Sequence, residues 1–262
     1  MNINLTGKNA LIGGSSKGIG KACAIELAKL GANITLVSRS PEVMADIARE
    51  LPRVAPGQDH DLLAVDFSDT IDLKKKVKML VATKTIHILV NNTGGPPGGP
   101  IMDARTEEFI QAYNNHLICN HVLTLLTTPG MRKAGYGRII NIISTSVKAP
   151  IPGLGVSNTT RGAVASWAKT MANELAVDGV TVNNVLPGKT DTDRLREIIG
   201  DVAARRAVSE ETVVEGMMSE IPMGRFADPG EIAVAVAFLA SPAASFITGI
   251  SLPVDGGQTR SM

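Results

Sequence analysis

Short apolar runs alternate along this chain with longer stretches in which apolar positions return every three or four residues. The first pattern suits buried strands and the second suits helices with one face against a core. Strands are expected at 9–13, 33–38, 62–66, 86–91, 137–144, 180–186 and 250–254. Helices are expected at 18–30, from Ser40-Pro41-Glu42 onward, at 73–82, 107–131 and 156–176, and from Asp228 to Ala240. Ser40 reads as an N-cap with Pro41 at the first helical position, and Asp228-Pro229-Gly230-Glu231 as a capping box. Gly31 suits a left-handed helix terminator. Residues 94–100 are all Gly or Pro, which excludes helix and central strand there. Strand and helix alternate throughout, with no linker and no repeat. The fold expected is α/β: a single doubly wound parallel sheet of the Rossmann type, with helices on both faces, in one domain over 1–262. Residues 191–220 read as one or two helices forming a lid.

Composition narrows the class. Hydrophobic residues make up 44% of the chain and aromatics only 3%, so aliphatic side chains must build the core, as in a sheet buried on both faces. With 26 basic and 25 acidic residues the net charge is +1, and no basic excess points to nucleic acid or to an anionic membrane surface. The two cysteines, Cys23 and Cys119, form no C-x-x-C pair and no His/Cys cluster has zinc spacing. They read as reduced packing thiols of a cytoplasmic protein. The longest apolar stretch, near 232–240, is too short to span a bilayer.

Ligands of open parallel sheets bind outside the carboxyl ends of the strands. Beyond the first strand lies Gly14-Ser15-Ser16-Lys17-Gly18-Ile19-Gly20, which opens a helix. Gly14 permits a sharp turn, Gly18 lets backbone approach a pyrophosphate and Gly20 lets the helix pack on the sheet. The helix N-terminus offers unpaired N–H groups and a positive dipole to phosphates. The second strand ends in Ser38-Arg39 rather than a carboxylate. Arg39 and Lys17 near an adenosine ribose would favour a 2′-phosphate, hence NADP(H) over NAD(H). They are also ordinary candidates for surface cations.

Further segments sit after the other strands: Asn91-Asn92-Thr93-Gly94, Asn141-Ile142-Ile143-Ser144 and Pro187-Gly188-Lys189-Thr190-Asp191-Thr192. The chain closes with Phe246-Ile247-Thr248-Gly249 and Val254-Asp255-Gly256-Gly257. Together these resemble the short-chain dehydrogenase/reductase family over nearly the whole chain, and Gly224-Arg225-Phe226, Ala240-Ser241-Pro242 and the closing motif are similar to those of its 3-oxoacyl-carrier-protein reductases. The resemblance implies that Asp66 and Phe67 contact adenine, that Asn92 and Gly94 lie beside the adenosine ribose, and that Pro187, Gly188, Thr190 and Thr192 run along the nicotinamide amide. It also implies a small-molecule substrate and a homo-oligomer, a dimer or tetramer built through the helices at 107–131 and 156–176.

The family's Tyr-x-x-x-Lys is absent. Ungapped spacing puts His116 at the family's Asn, Ser144 at its Ser, Ser157 at its Tyr and Arg161 at its Lys. Neither Tyr113 nor Tyr136 has Lys four residues on. A tyrosine hydroxyl begins near pKa ~10 and can be lowered by a cation, whereas a serine hydroxyl begins far higher. Arg161 can hold ribose hydroxyls but does not release a proton. The imidazole of His116, directly or through water held by Ser157, is the expected substitute for the phenol; a helix histidine with a structural hydrogen bond is the other reading. The function expected is NADP(H)-dependent reduction of a carbonyl, 3-oxoacyl-like, by way of a non-standard proton donor. The alternative is an NADP(H)-binding sensor or subunit partner without hydride transfer.

Overall fold

The computed structural model describes residues 1–261. Its strands are β1 (Asn9–Gly13), β2 (Asn33–Ser38), β3 (His60–Ala64), β4 (Ile88–Asn91), β5 (Gly137–Ile142), β6 (Val180–Pro187) and β7 (Ser251–Val254). They form one sheet in the order β3-β2-β1-β4-β5-β6-β7, every pair parallel. The order reverses direction between β1 and β4, which opens a crevice at the carboxyl edge. This is the doubly wound sheet expected from the alternation of runs.

Two apolar layers bury the sheet. On one face α1 (Gly18–Lys29) and α9 (Pro229–Ala240) pack through Ala24, Leu27, Ile232 and Val236 against Ile12, Ile34 and Val185. On the other, α3 (Thr70–Thr83), α5 (Cys119–Ala134) and α6 (Gly155–Leu175) supply Leu73, Leu123 and Ala168 against Leu11, Leu89 and Val182. Alternate residues of each strand serve opposite layers, so both registers must be apolar. Both cysteines are buried and free.

One row across this apolar sheet is polar. Asn91, Asn141, Asn184 and Ser251 stand side by side in register on β4 to β7. Asn91 Nδ2 donates to Asn141 Oδ1 (2.8 Å), Asn141 Nδ2 to Asn184 Oδ1 (2.9 Å) and Asn184 Nδ2 to Ser251 Oγ (3.1 Å). Buried amides demand partners, and here each finds one only if the strands keep this register. The row lies just before the strand ends that form the crevice, so it aligns their mouths.

Several local expectations shift. The third strand ends at Ala64, leaving Asp66 and Phe67 in the following loop, though Val65 N still donates to Ser38 O (2.9 Å). Ser40 makes no side-chain cap, so the start of α2 (Pro41–Glu50) rests on Pro41 at the first turn. The long helix expected at 107–131 is α4 (Thr106–Tyr113), a π turn at Asn114–Ile118, and then α5. The π turn inserts one residue into the i→i−4 ladder and re-aims the side chains around it. The lid region is two helices, α7 (Asp193–Arg206) and α8 (Glu210–Ser219), joined over a small core of Leu195, Ile199, Ala203 and Val213. The capping box at Asp228 and Glu231 is present, and Gly31 is left-handed as expected.

The amide row yields a direct test. Asn141→Ala would leave the Asn91 amide donor and the Asn184 carbonyl oxygen buried without partners. Its unfolding free energy in urea should fall by about 2–4 kcal/mol, more than the same truncation at a surface asparagine.

Candidate functional site

Above the carboxyl ends of β1, β2, β4, β5 and β6 lies a cavity of about 1630 Å³. Its floor begins at the glycine turn. A Cβ on Gly20 would sit 2.2 Å from Gly14 O, and one on Gly14 would sit 2.7 Å from Asn92 Nδ2. Gly14 and Gly18 also take left-handed conformations (φ 57° and 54°). Asn92 Nδ2 holds the turn by donating to Gly13 O (3.1 Å) and Gly14 O (3.4 Å). Ser15 is fully buried, and its hydroxyl accepts from Val37 N (2.8 Å), which ties the turn to β2. Gly14, Ser16, Lys17, Gly18 and Ile19 reach the cavity wall; Ser15 and Gly20 shape the turn from behind.

Arg39, Asp66 and Phe67 line the end of the cavity beside β2 and β3. Arg39 Nη1 lies 3.9 Å from Asp66 Oδ2. Hydrogen bonding from Ser68 N, with Arg39 nearby, holds the Asp66 carboxyl below its usual range. Lys17 reaches across the mouth to Asp193 at the start of α7 (3.1 Å). Thr192 caps α7, its Oγ1 accepting from Leu195 N (3.4 Å), and its methyl group is the nearest atom to the space beside Gly18. The first turn of α7 thus sits directly over the glycine turn. Asn92, Gly94, Pro187, Gly188, Thr190 and Thr192 all line the cavity. Gly188 has no room for a side chain, since a Cβ would lie 2.7 Å from Asp255 Cα.

At the other end the wall carries Ser144, Ser157 and Arg161. Ser144 follows β5, and its Oγ accepts from Ser146 N (3.1 Å). Ser157 and Arg161 are one helical turn apart on α6 and so share a face. Arg161 Nε donates to Ser157 Oγ (3.4 Å), and Arg161 Nη1 donates to Ile142 O (3.0 Å) at the end of β5. Burial, with Arg194 beside it, lowers Arg161 to about 10, so it remains a cation at neutral pH.

His116 is displaced from the wall. The π turn brings Asn115 to the cavity and turns His116 inward, where it is 5% exposed. Its Nδ1 lies 2.6 Å from Thr93 Oγ1, and Thr93 is a wall residue. Burial first, and the charge of Arg161 second, push His116 down to about 3, so the imidazole is neutral at physiological pH. Thr93 and Arg194 were not singled out by sequence. Thr93 stood inside a recognised motif, but only the π turn shows it between His116 and the cavity. Arg194 stood in the lid segment, and nothing in its spacing ties it to Arg161. Lys148 is exposed and does not line the cavity. Neither tyrosine serves the site: Tyr136 donates to Ala240 O (2.6 Å) below the sheet and Tyr113 is on the surface.

A glycine turn, an Asn clamp, a cavity at the sheet's switch point and a lid beyond β6 define a nucleotide-binding α/β domain. Comparison with known proteins makes the class specific. A family model described as enoyl-(acyl carrier protein) reductase matches residues 14–259. The 3-oxoacyl-[acyl-carrier-protein] reductase FabG of Vibrio harveyi is 35% identical, over 98% of this chain and 99% of that protein. L-sorbose reductase from Gluconobacter frateurii, solved with NADPH and L-sorbose, superposes with a TM-score of 0.92 at 31% identity, covering both chains fully. YwfH, an NADPH-dependent reductase involved in bacilysin biosynthesis, superposes with a TM-score of 0.91 at 26% identity, over 97% of this chain and 99% of that one. The chain belongs to the short-chain dehydrogenase/reductase family.

The buried state of His116 has a measurable consequence. Below pH 6.5 the unfolded imidazole takes up a proton that the folded one refuses until about pH 3. Stability is therefore full above pH 6.5 and falls as pH drops through that window, by at most about 5 kcal/mol. His60 and His87 are lowered too and act in the same direction. Urea unfolding of His116→Gln should show a shallower loss between pH 6.5 and 4 than the parent protein. Equal slopes would mean that His116 is charged in the fold.

Proposed function

We propose that this protein is an NADP(H)-dependent oxidoreductase that reduces a carbonyl substrate, 3-oxoacyl-like, with hydroxyl groups in place of the missing phenol. One observation carries the reading. One cavity is lined by the glycine turn, by the cations Lys17 and Arg39, and by the hydroxyls of Ser144 and Ser157.

The residues fit the cofactor. Gly14, Ser16, Gly18 and Ile19 would hold the pyrophosphate at the N-terminus of α1. Lys17 and Arg39 would face the 2′-phosphate, with Asp66, Phe67, Asn92 and Gly94 about the adenosine. Pro187, Gly188, Thr190 and Thr192 would border the nicotinamide. Bound there, the cofactor supplies hydride. Solved relatives with NADPH or NADP bound, including an actinorhodin polyketide ketoreductase and a 3-oxoacyl reductase from Agrobacterium tumefaciens, support this choice.

The protein's own share is proton handling and orientation. Ser144 and Ser157 offer hydroxyls to the substrate oxygen. Arg161 keeps Ser157 in place and presents a fixed positive charge where negative charge grows on that oxygen. Neutral His116 acts one step back: as hydrogen-bond partner of Thr93 it orients that hydroxyl toward the cavity. Helices α7 and α8 serve as the lid over the substrate, and Met217 adds an adaptable apolar wall. The exposed Ile110, Tyr113, Ile118 and Leu125 along α4 and α5 support a homotetramer, and no helix among the described residues is long and apolar enough to cross a membrane. A cytoplasmic enzyme is the setting proposed.

The second reading, a dinucleotide-binding protein without turnover, is favoured by one specific feature. No His, Cys or Tyr stands on the wall among the described residues.

Fluorescence titration should show NADPH binding at least about tenfold tighter than NADH, and Arg39→Ala should erase most of that preference. A panel of 3-oxoacyl thioesters and simple ketones should consume NADPH absorbance in the presence of the enzyme. Tight NADPH binding with no consumption on the whole panel would instead establish the second reading. His116→Gln should lower kcat several-fold without an inflection near pH 6.5 in either protein.

A further inference from the structure

We infer that Arg161 and Arg194 form a carboxylate-binding pair in the reaction chamber, so that the substrate is a short oxo acid whose carboxylate lies beside the carbon that is reduced. The inference rests on the NADP(H)-dependent carbonyl reduction proposed above and places the reduced carbonyl in a 2-oxo acid rather than in a 3-oxoacyl thioester.

The geometry is built from three elements. Arg161 projects from α6, Arg194 from the first turn of α7, and both flank Gly95 in the Gly/Pro loop after β4. A Cβ placed on Gly95 would lie 3.7 Å from Arg161 Nη2 and 4.0 Å from Arg194 Nε. Arg194 Nη2 donates to Pro96 O (2.7 Å), which ties the lid to that loop. Two guanidinium groups therefore converge on one side of the cavity, next to Ser157.

Charge accounting leaves Arg161 without a carboxylate partner among the described residues and gives the pair one carboxylate between two cations. The carboxylates on the cavity wall are all engaged elsewhere: Asp66 near Arg39 (3.9 Å), Asp193 with Lys17 (3.1 Å) and Glu220 with Lys189 (2.6 Å). Arg194 Nη1 meets Glu197 on its solvent side (3.1 Å). Arg161 has no carboxylate within 4.0 Å among the described residues, and its only partners are Ile142 O and Ser157 Oγ. Two neighbouring cations, one of them enclosed, are costly to hold together unless an anion joins them. Planar guanidinium forks match the two oxygens of a carboxylate. Arg161 sits one hydrogen bond from Ser157, which places the anion close to the reacting oxygen.

The lid gives the pair a second role. Arg194 belongs to α7, whose first turn is also held by Lys17 to Asp193 across the phosphate turn. An anion bound by both arginines would fasten α7 to α6 over an occupied chamber, so substrate charge and lid position are coupled.

The experiment uses the full-length protein saturated with NADP⁺, titrated calorimetrically with 2-oxohexanoate, its methyl ester and inorganic phosphate. The expected result is at least about tenfold tighter binding of the acid than of the ester, with phosphate as a weak competitor. Arg194→Gln should lose that preference while its NADPH affinity stays within about threefold of the parent. Arg194→Lys should recover part of it, since charge returns without the fork. Equal binding of acid and ester overturns the inference. So does a parallel loss of NADPH affinity in Arg194→Gln, which would assign the arginines to the cofactor phosphates. Tighter binding of phosphate than of the acid overturns it in favour of a phosphorylated ligand. If the parent protein preferred the acid yet bound no NADPH, the anion pair would stand and the oxidoreductase reading would fall.

Discussion

The carbonyl of Asn92 occupies space that a side chain on the glycine turn would need. A Cβ on Gly13 would lie 2.7 Å from Asn92 O, and the Asn92 amide in turn grips Gly13 O and Gly14 O. This contact draws the ends of β1 and β4 together at the point where the strand order reverses. The crevice, the helix N-terminus that faces it, and the position of the lid all follow from that closeness. The requirement is steric: a side chain at Gly13 would make the Asn92 backbone give way.

The amide row on β4, β5, β6 and β7 serves the same end by other means. Apolar strands in a parallel sheet are held in register mainly by packing, which is non-directional. A line of buried Asn side chains adds direction, because a slip of one residue would leave several polar groups without partners. Asn183 continues the pattern toward the last strand, its Nδ2 donating to Ile247 O (2.8 Å) and its Oδ1 accepting from Ile250 N (3.2 Å). The strand ends that bear Asn92, Ser144 and Gly188 are thereby kept level.

Against this rigid frame the reaction end is chemically altered. Ser157 and Arg161 occupy one face of α6, and the volume of a phenol ring is replaced by a hydroxyl and an extended cation. The charge itself is not new, since Arg161 stands where the family has Lys, but it has two effects that point the same way. It helps to keep His116 neutral, and it leaves the chamber short of negative charge. A histidine pushed down to about 3 is a poor proton reservoir but a sound hydrogen-bond anchor for Thr93. A chamber with unbalanced cations suits an anionic ligand. The departures from the family pattern thus form a consistent set rather than scattered losses.

Sequence alone determined the sheet and its helices, because the alternation of apolar runs and the placement of Gly, Pro and capping residues are local signals. It also determined the glycine turn and the absence of Tyr-x-x-x-Lys, since these are matters of residue type at fixed spacing. Boundaries such as the end of β3 were less legible, because Val65 extends the ladder by a single hydrogen bond. Only the tertiary structure decided which side chains meet. The π turn at Asn114–Ile118, which exchanges Asn115 for His116 at the wall, sits where α4 meets α6 and is not marked by the apolar periodicity. Arg161 and Arg194 are thirty-three positions apart in the chain and lie on different helices. They face one another only because α7 folds back over the loop at Gly95 and Pro96, a long-range contact that no periodicity in the sequence encodes.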